Sequence, residues 1–175
     1  MGFNRQREHV YFYGEDEATS DIAQGFVESM KVDDSRCRVF HEYGKGWTTV
    51  ADAVEKTRMW RYPLTRLVLV IDFDHEDVGR VAKIVNEVKR TQFKDRIYVL
   101  GAEKDAQQLM RKVGAILHKK GKVYEKDVGA VLADAYSPGG DCIEGIWSAP
   151  ELSHNIPELK RLCVDAGNII FEKTA

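Results

Sequence analysis

The sequence is poor in the features that announce a scaffold of disulfides, a membrane span or a nucleotide loop. It has three cysteines in 175 residues, Cys37, Cys142 and Cys163, an odd number, widely spaced and without a C-x-x-C pair. That usage excludes a disulfide framework and suits reduced thiols, so a cytoplasmic location is expected. No apolar run approaches the roughly 20 residues that span a bilayer, so no membrane partner is expected. The segment Met1–Glu8 leads into a strand-like run without the apolar stretch of a signal peptide. Gly2 is followed at the sixth position by Gln6 instead of Ser or Thr, which argues against an N-terminal acyl anchor. Neither sign of charge dominates: 26 Lys and Arg face 28 Asp and Glu, for a net charge of −2. Such a balance neither demands a polyanionic partner nor excludes one. G-x-x-x-x-G-K-[ST], a G-x-G-x-x-G after the first strand, and G-x-S-x-G are all missing, so ATPase, dinucleotide and hydrolase-elbow chemistry lose their main support. No internal repeat or low-complexity linker divides the chain, and its length suits one domain.

What is present is an alternation of strand-like and helix-like segments. His9–Gly14 is dense in β-branched and aromatic residues, and Asp21–Met30 places Ile22, Phe26, Val27 and Met30 on one helical face. Cys37–Tyr43 reads as a second strand, and Thr48 or Thr49 can cap a helix that turns Val50, Ala53 and Val54 inward. Arg66–Asp74 contains five consecutive large aliphatics, the mark of a strand buried on both faces. Asp77–Arg90 is helical in period, Arg96–Ala102 is a fourth strand and Ala106–Val113 a fourth helix. Each gap between strands holds one helix, too long for a hairpin and suited to parallel crossovers. The expected fold is α/β: an open, mainly parallel sheet of four to five strands with helices on both faces, over residues 1–114. Residues 115–175 read as a helical elaboration of the same domain. Helices are expected at Glu125–Tyr136 and from an Asn155 cap through Leu162, closed by Gly167, with Asn168–Glu172 as an added edge strand.

In an open parallel sheet, ligands gather at the carboxyl ends of the strands, where strand order reverses. The first strand ends in Gly14-Glu15-Asp16-Glu17 and the third in Asp72-Phe73-Asp74-His75-Glu76-Asp77. If those strands are neighbours, three or more carboxylates meet at one edge. Two such charges about 5 Å apart repel by roughly 3 kcal/mol at an effective dielectric near 20, so the site calls for a cation or a trapped proton. Oxygen ligands without a nearby cysteine favour Mg²⁺ or Mn²⁺.

The acidic residue after strand one, Gly44-Lys45-Gly46 after strand two and Asp72-x-Asp74 after strand three together resemble the TOPRIM domain of topoisomerases, bacterial primases and small nucleases. The resemblance covers residues 9–102 and rests on the order of the motifs. It implies a Mg²⁺-dependent phosphoryl-transfer centre acting on nucleic-acid phosphodiesters, with Glu15 as acid/base or ligand and Asp72 and Asp74 as ligands. The family's usual Glu-Gly is reversed here as Gly14-Glu15, so Glu17 stands beside Glu15 as a candidate ligand. Lys45, with Gly46, is placed to approach a substrate phosphate. A second resemblance is to receiver domains, with Glu15-Asp16 as the acidic pair, Asp72 as phospho-acceptor and Lys119 or Lys120 as the lysine. Gly101 stands where that family carries a hydroxyl. It implies a degenerate regulatory or protein-binding module without catalysis.

Other residues carry less. Arg111-Lys112 and Lys119-Lys120-Gly-Lys122 form a basic stretch able to grip phosphates or simply to be solvated. His75 adjoins the acidic cluster, and Glu144 with Trp147 follow a Pro-Gly-Gly break from which they could close over the site. Trp47, Trp60 and Trp147 are expected to fill core or rim space. If the chain is a nuclease, substrate choice is expected to come from the C-terminal elaboration or from a protein partner.

Overall fold

The computed structural model describes residues 4–29, 32–40, 48–71, 79–102, 106–136 and 145–171. Its frame is a sheet of four strands, β1 (His9–Gly14), β2 (Cys37–Val39), β3 (Thr65–Ile71) and β4 (Ile97–Gly101), in the order β2-β1-β3-β4. All three pairings are parallel, and β1 and β3 match residue for residue from His9 opposite Thr65 to Gly14 opposite Val70. The fold is therefore α/β with an open, all-parallel sheet, in a Rossmann-like arrangement.

Strand side chains alternate between two layers, as the period of a strand requires. Val10, Phe12, Val68, Val70, Tyr98 and Leu100 enter one apolar cluster, while Tyr11, Tyr13, Leu67, Leu69, Ile71, Ile97 and Val99 enter the other. The second layer is covered by α2 (Val50–Thr57) and α3 (Arg80–Lys89), through Val50, Ala53, Val81, Ile84 and Val88. The first is thicker. There α1 (Glu17–Glu28), α4 (Ala106–Ile116), α5 (Glu125–Asp134) and α6 (Ile156–Phe171) share one core. Right-handed crossovers put α1 on one face and α2 and α3 on the other, because the chain leaves β1 one way and returns past it to β3.

Helices α1 and α5 cross in near backbone contact. A Cβ at Gly129 would lie 1.9 Å from the Ile22 carbonyl oxygen, and one at Gly25 would lie 2.0 Å from that of Lys126, so only glycine allows this approach. Trp147 is fully buried against the same layer and donates its indole N–H to the Leu132 carbonyl at 2.9 Å. It is thus core, not a flap over the carboxyl edge.

Several local expectations shift. Helix α1 starts four residues before Asp21, because Asp16 forms a capping box with Thr19: its Oδ1 accepts from the Thr19 N–H at 2.8 Å and Thr19 Oγ1 accepts from the Asp16 N–H at 2.9 Å. Thr49 caps α2 in the same way, through the Asp52 N–H. Of the expected edge strand at 168–172, residues 168–171 are instead the last turn of α6, and Glu172 lies outside the described residues. Ile169 and Ile170 continue the inward face of Leu159, Leu162, Cys163 and Ala166, so burial carries the helix past Gly167. Asn155 does not spend its side chain on capping α6. It is 1% exposed, donates to the Gly101 and Leu152 carbonyls at 2.7 and 3.0 Å, and accepts from the Gly101 N–H at 2.9 Å. Arg161 donates to the Ile97 carbonyl and lies over the Tyr98 ring. These two side chains satisfy the outer edge of β4, where a fifth strand would otherwise dock. Among the described residues, no helix is long and apolar enough to cross a membrane.

Candidate functional site

Strands β1 and β3 are neighbours, and they end together. Gly14 pairs with Val70, and the Glu15 N–H donates to the Val70 carbonyl at 3.1 Å, so Glu15 stands beside the last residues of β3. The sheet order reverses between these strands, since β2 lies to one side of β1 and β3 and β4 to the other. This is the crevice in which open α/β sheets hold ligands. A Cβ on Gly14 would meet the backbone of Ser20 at 2.3 Å, so the first turn of α1 closes directly over the end of β1.

Of the candidate residues, Glu15 and Glu17 are described. Asp72, Asp74, Lys45 and Gly46, with His75 and Glu144, lie outside the described residues. Glu15 is partly buried and accepts from Arg80 Nε at 2.8 Å and from Arg80 Nη2. Two guanidinium N–H groups converging on one carboxylate oxygen fix where that oxygen sits. Both Arg80 contacts fall on Oε1, which leaves Oε2 as the oxygen of Glu15 that Arg80 does not engage. Arg80 opens α3 immediately after Gly79, whose φ of +117° belongs to the left-handed region. The same residue can serve a phosphate, because guanidinium matches phosphate oxygens as well as carboxylate. Sequence reasoning missed Arg80; the available signal was a cation at the start of the helix that follows β3, nine residues beyond Ile71.

Glu17 goes the other way. It is the exposed first residue of α1, and with Asp16, Ala18, Asp21 and Glu125 it lines a hollow of about 420 Å³ between α1 and the start of α5. Glu15 thus meets a helix of the thin layer and Glu17 borders a helix of the thick one. Asp16, between them, is committed to its cap. Among the described residues, no group of three or more His, Cys, Asp or Glu is arranged to hold a metal ion. Glu15 is therefore the described acid set at the crevice, and Glu17 lines the hollow beside it.

A cavity of about 510 Å³ lies between the other end of α1 and β2, with Val27, Val32, Cys37 and Val39 below Gln24, Glu28, Asp34 and Arg38. It is remote from the crevice, and its one candidate nucleophile is unsuited. Burial pushes the Cys37 thiol far above its ordinary range, so it stays protonated and inert.

The basic stretch after α4 is split. Lys112 pairs with the buried Glu151 at 2.7 Å, and Lys119 with Asp127 at 2.6 Å. Lys119 and Lys122 also flank the Tyr124 ring, each 5.1 Å from its centre. Trp60 does not fill the core; it is 58% exposed. The chain matches no protein-family model, no curated protein and no solved structure.

Proposed function

We propose that the chain is a Mg²⁺-dependent phosphoryl-transfer protein, a nuclease acting on DNA or RNA phosphodiesters at the crevice between β1 and β3. The observation that carries this reading is the shared ending of those two strands: Glu15 sits against Val70, one residue short of the end of β3, and the sequence continues from Ile71 into Asp72 and Asp74. Mg²⁺ or Mn²⁺ bound by Asp72 and Asp74, with Glu17 as a further oxygen ligand, would supply positive charge to the developing transition state. Arg80 adds a cation at the same edge, Lys45 and Gly46 would approach the substrate phosphate, and Glu15 would handle the proton through the oxygen that Arg80 does not engage.

The test is incubation of the full chain with single- and double-stranded DNA and RNA in Mg²⁺ or Mn²⁺. Cleavage is expected with the wild type and is expected to vanish in Asp72→Asn/Asp74→Asn, a variant that should keep its melting temperature in EDTA. Absence of cleavage of every substrate overturns the reading.

The second reading, a receiver-like regulatory module, draws on the strand order, which is that of the flavodoxin-like sheets. Labelling of Asp72 by acetyl phosphate, without cleavage, supports it. Gly101 weighs against it: this residue offers no hydroxyl, and a Cβ there would lie 2.7 Å from Val81 Cγ2 and 2.9 Å from the Ile71 carbonyl oxygen.

A further inference from the structure

The opposite end of the sheet, where the strands begin, carries a surface of different chemistry. The turn from α2 to β3 runs through Arg58, Met59, Trp60, Arg61, Tyr62, Pro63 and Leu64. It is a built structure. Met59 is fully buried, and the Arg61 and Tyr62 N–H groups both donate to the Arg58 carbonyl. Arg96, at the start of β4, donates to the carbonyls of Tyr62, Pro63 and Thr65 at 3.3, 2.7 and 3.1 Å. This pinned turn presents Trp60 and Leu64 to solvent, 58% and 43% exposed. A tryptophan held outward on a rigid turn, with no ring contact or hydrogen bond among the described residues, is a prepared contact surface.

Its surroundings are cationic. Arg5 lies 6.0 Å from the Tyr11 ring and 5.6 Å from that of Tyr62, with Arg61 5.8 Å from Tyr62. Arg5, Arg58 and Arg61 form no ion pair among the described residues. The carboxylate beside them, Glu8, is already shared by Arg36 and Arg66 at 3.7 and 3.4 Å. In a chain of net charge −2, Arg58 and Arg61 on the same turn as an exposed indole, with Arg5 against Tyr62 of that turn and none of the three in an ion pair among the described residues, call for an anion that also offers a flat apolar face. Single-stranded nucleic acid has both, because its bases are free to stack and its phosphates alternate with them. A duplex hides its base faces.

We propose that this surface binds single-stranded nucleic acid, with Trp60 stacking on a base and Arg5, Arg58 and Arg61 engaging the adjacent phosphates. The site lies beyond the carboxylate crevice, at the other end of the strands, and binding there does not require the crevice to be catalytic.

The test is fluorescence anisotropy with a labelled single-stranded oligonucleotide, on the full chain in EDTA, so that neither cleavage nor a metal enters. Binding is expected to favour the single strand over the duplex and to weaken with salt, the slope of log K against log salt being about −2 for three phosphate contacts. Trp60→Ala is expected to weaken binding about tenfold, Trp60→Phe to restore most of it, and Arg61→Glu to weaken it and flatten the salt slope by about 0.7. Unchanged melting temperatures verify that these variants fold. No binding, or binding that Trp60→Ala leaves intact, overturns the proposal. So does equal affinity for dextran sulfate, which carries charge but no bases, and so does a dimer in sedimentation that Trp60→Ala dissociates. Asp72→Asn/Asp74→Asn is expected to bind as the wild type does, so failure of the nuclease reading and failure of this one are separate results.

Discussion

The parallel sheet has two unlike ends. Where strands finish, the chain places Glu15, Asp16, Glu17 and, next in sequence after β3, Asp72 and Asp74; where they start, it places Arg5, Arg36, Arg58, Arg61 and Arg96. Part of this polarity follows from the fold itself. In a right-handed α/β crossover each helix begins near a strand's carboxyl end and finishes near the next strand's amino end. Helix N-termini favour acids and C-termini favour bases, by about 0.3–1 kcal/mol each. Asp16 and Glu17 at the start of α1, and Lys56 and Arg58 at the end of α2, fit that account. It does not explain a carboxylate that meets a helix start through an arginine side chain, as Glu15 meets Arg80 of α3. Nor does it explain an exposed indole on a turn with Arg58 and Arg61, which form no ion pair among the described residues, as at Trp60. Those departures separate functional chemistry from the electrostatics that any such sheet accumulates.

The sharpest contrast at the basic end is between two adjacent residues. Met59 is fully buried in the thin layer and Trp60 is exposed. Met59→Ala is expected to cost about 2–5 kcal/mol in denaturant unfolding, through lost burial and the cavity left behind. Trp60→Ala is expected to stay within about 0.5 kcal/mol of the wild type. A large loss at Trp60 would place that ring in the structural core and erase the distinction drawn between the two ends.

Arg96 comes next. Its guanidinium ties three carbonyls of the turn and sits 5.3 Å from the Phe93 ring. Partly exposed, it gains less than a buried donor would, and Arg96→Ala is expected to lower stability by about 1–2 kcal/mol. Hydrogen exchange is expected to quicken at the Thr65 N–H, which bonds to the Tyr62 carbonyl. If the turn keeps its protection without Arg96, the rigidity ascribed to the basic end comes from Met59 alone.

The two ends also differ in how far they can be read from sequence. At the acidic end the residues are contiguous: β1 finishes and the carboxylates follow within a few positions, so the place of Glu15–Glu17 is legible, while Asp72 and Asp74 lie outside the described residues. The neighbouring of β1 and β3, on which the acidic site depends, was expected only conditionally, because strand order is a property of crossovers and not of any local run. The basic end joins Arg5, the turn 58–64 and Arg96, which are far apart in the chain and meet only when three strands start side by side. Trp60 carries the composition of a core residue, and its exposure follows from Met59 taking the inward position of a tight turn. Arg80 and Arg161 escaped notice, and Asn155 was read as a cap, for a similar reason, since each acts on a partner at least 54 residues away. The end of α6 was legible in principle: Ile169 and Ile170 keep the helical spacing of Leu159, Leu162 and Cys163, and only the weight given to Gly167 as a stop obscured it.

The smallest expected effect lies at His9, where β1 begins. The imidazole is 1% exposed; its Nδ1–H donates to the Arg7 carbonyl at 2.7 Å, and its Nε2 accepts from the Thr65 hydroxyl at 2.9 Å. These bonds suit the neutral ring. Burial is the main reason its pKa falls below the ordinary histidine value, and the nearby charges of Arg5 and Arg66 push the same way. The sign for stability follows. Above the unfolded value of about 6.5 the ring is neutral in both states and the fold pays nothing. As pH drops through 6.5 the unfolded chain binds the proton first, so stability declines until the lower folded value is passed, and then levels off. Urea midpoints between pH 7.5 and 5 are therefore expected to decrease, and His9→Gln to flatten that part of the curve. A slope that survives His9→Gln would show that the arginines at the amino end impose no cost on a neighbouring proton, and the electrostatic contrast between the ends would then rest on their residue lists alone.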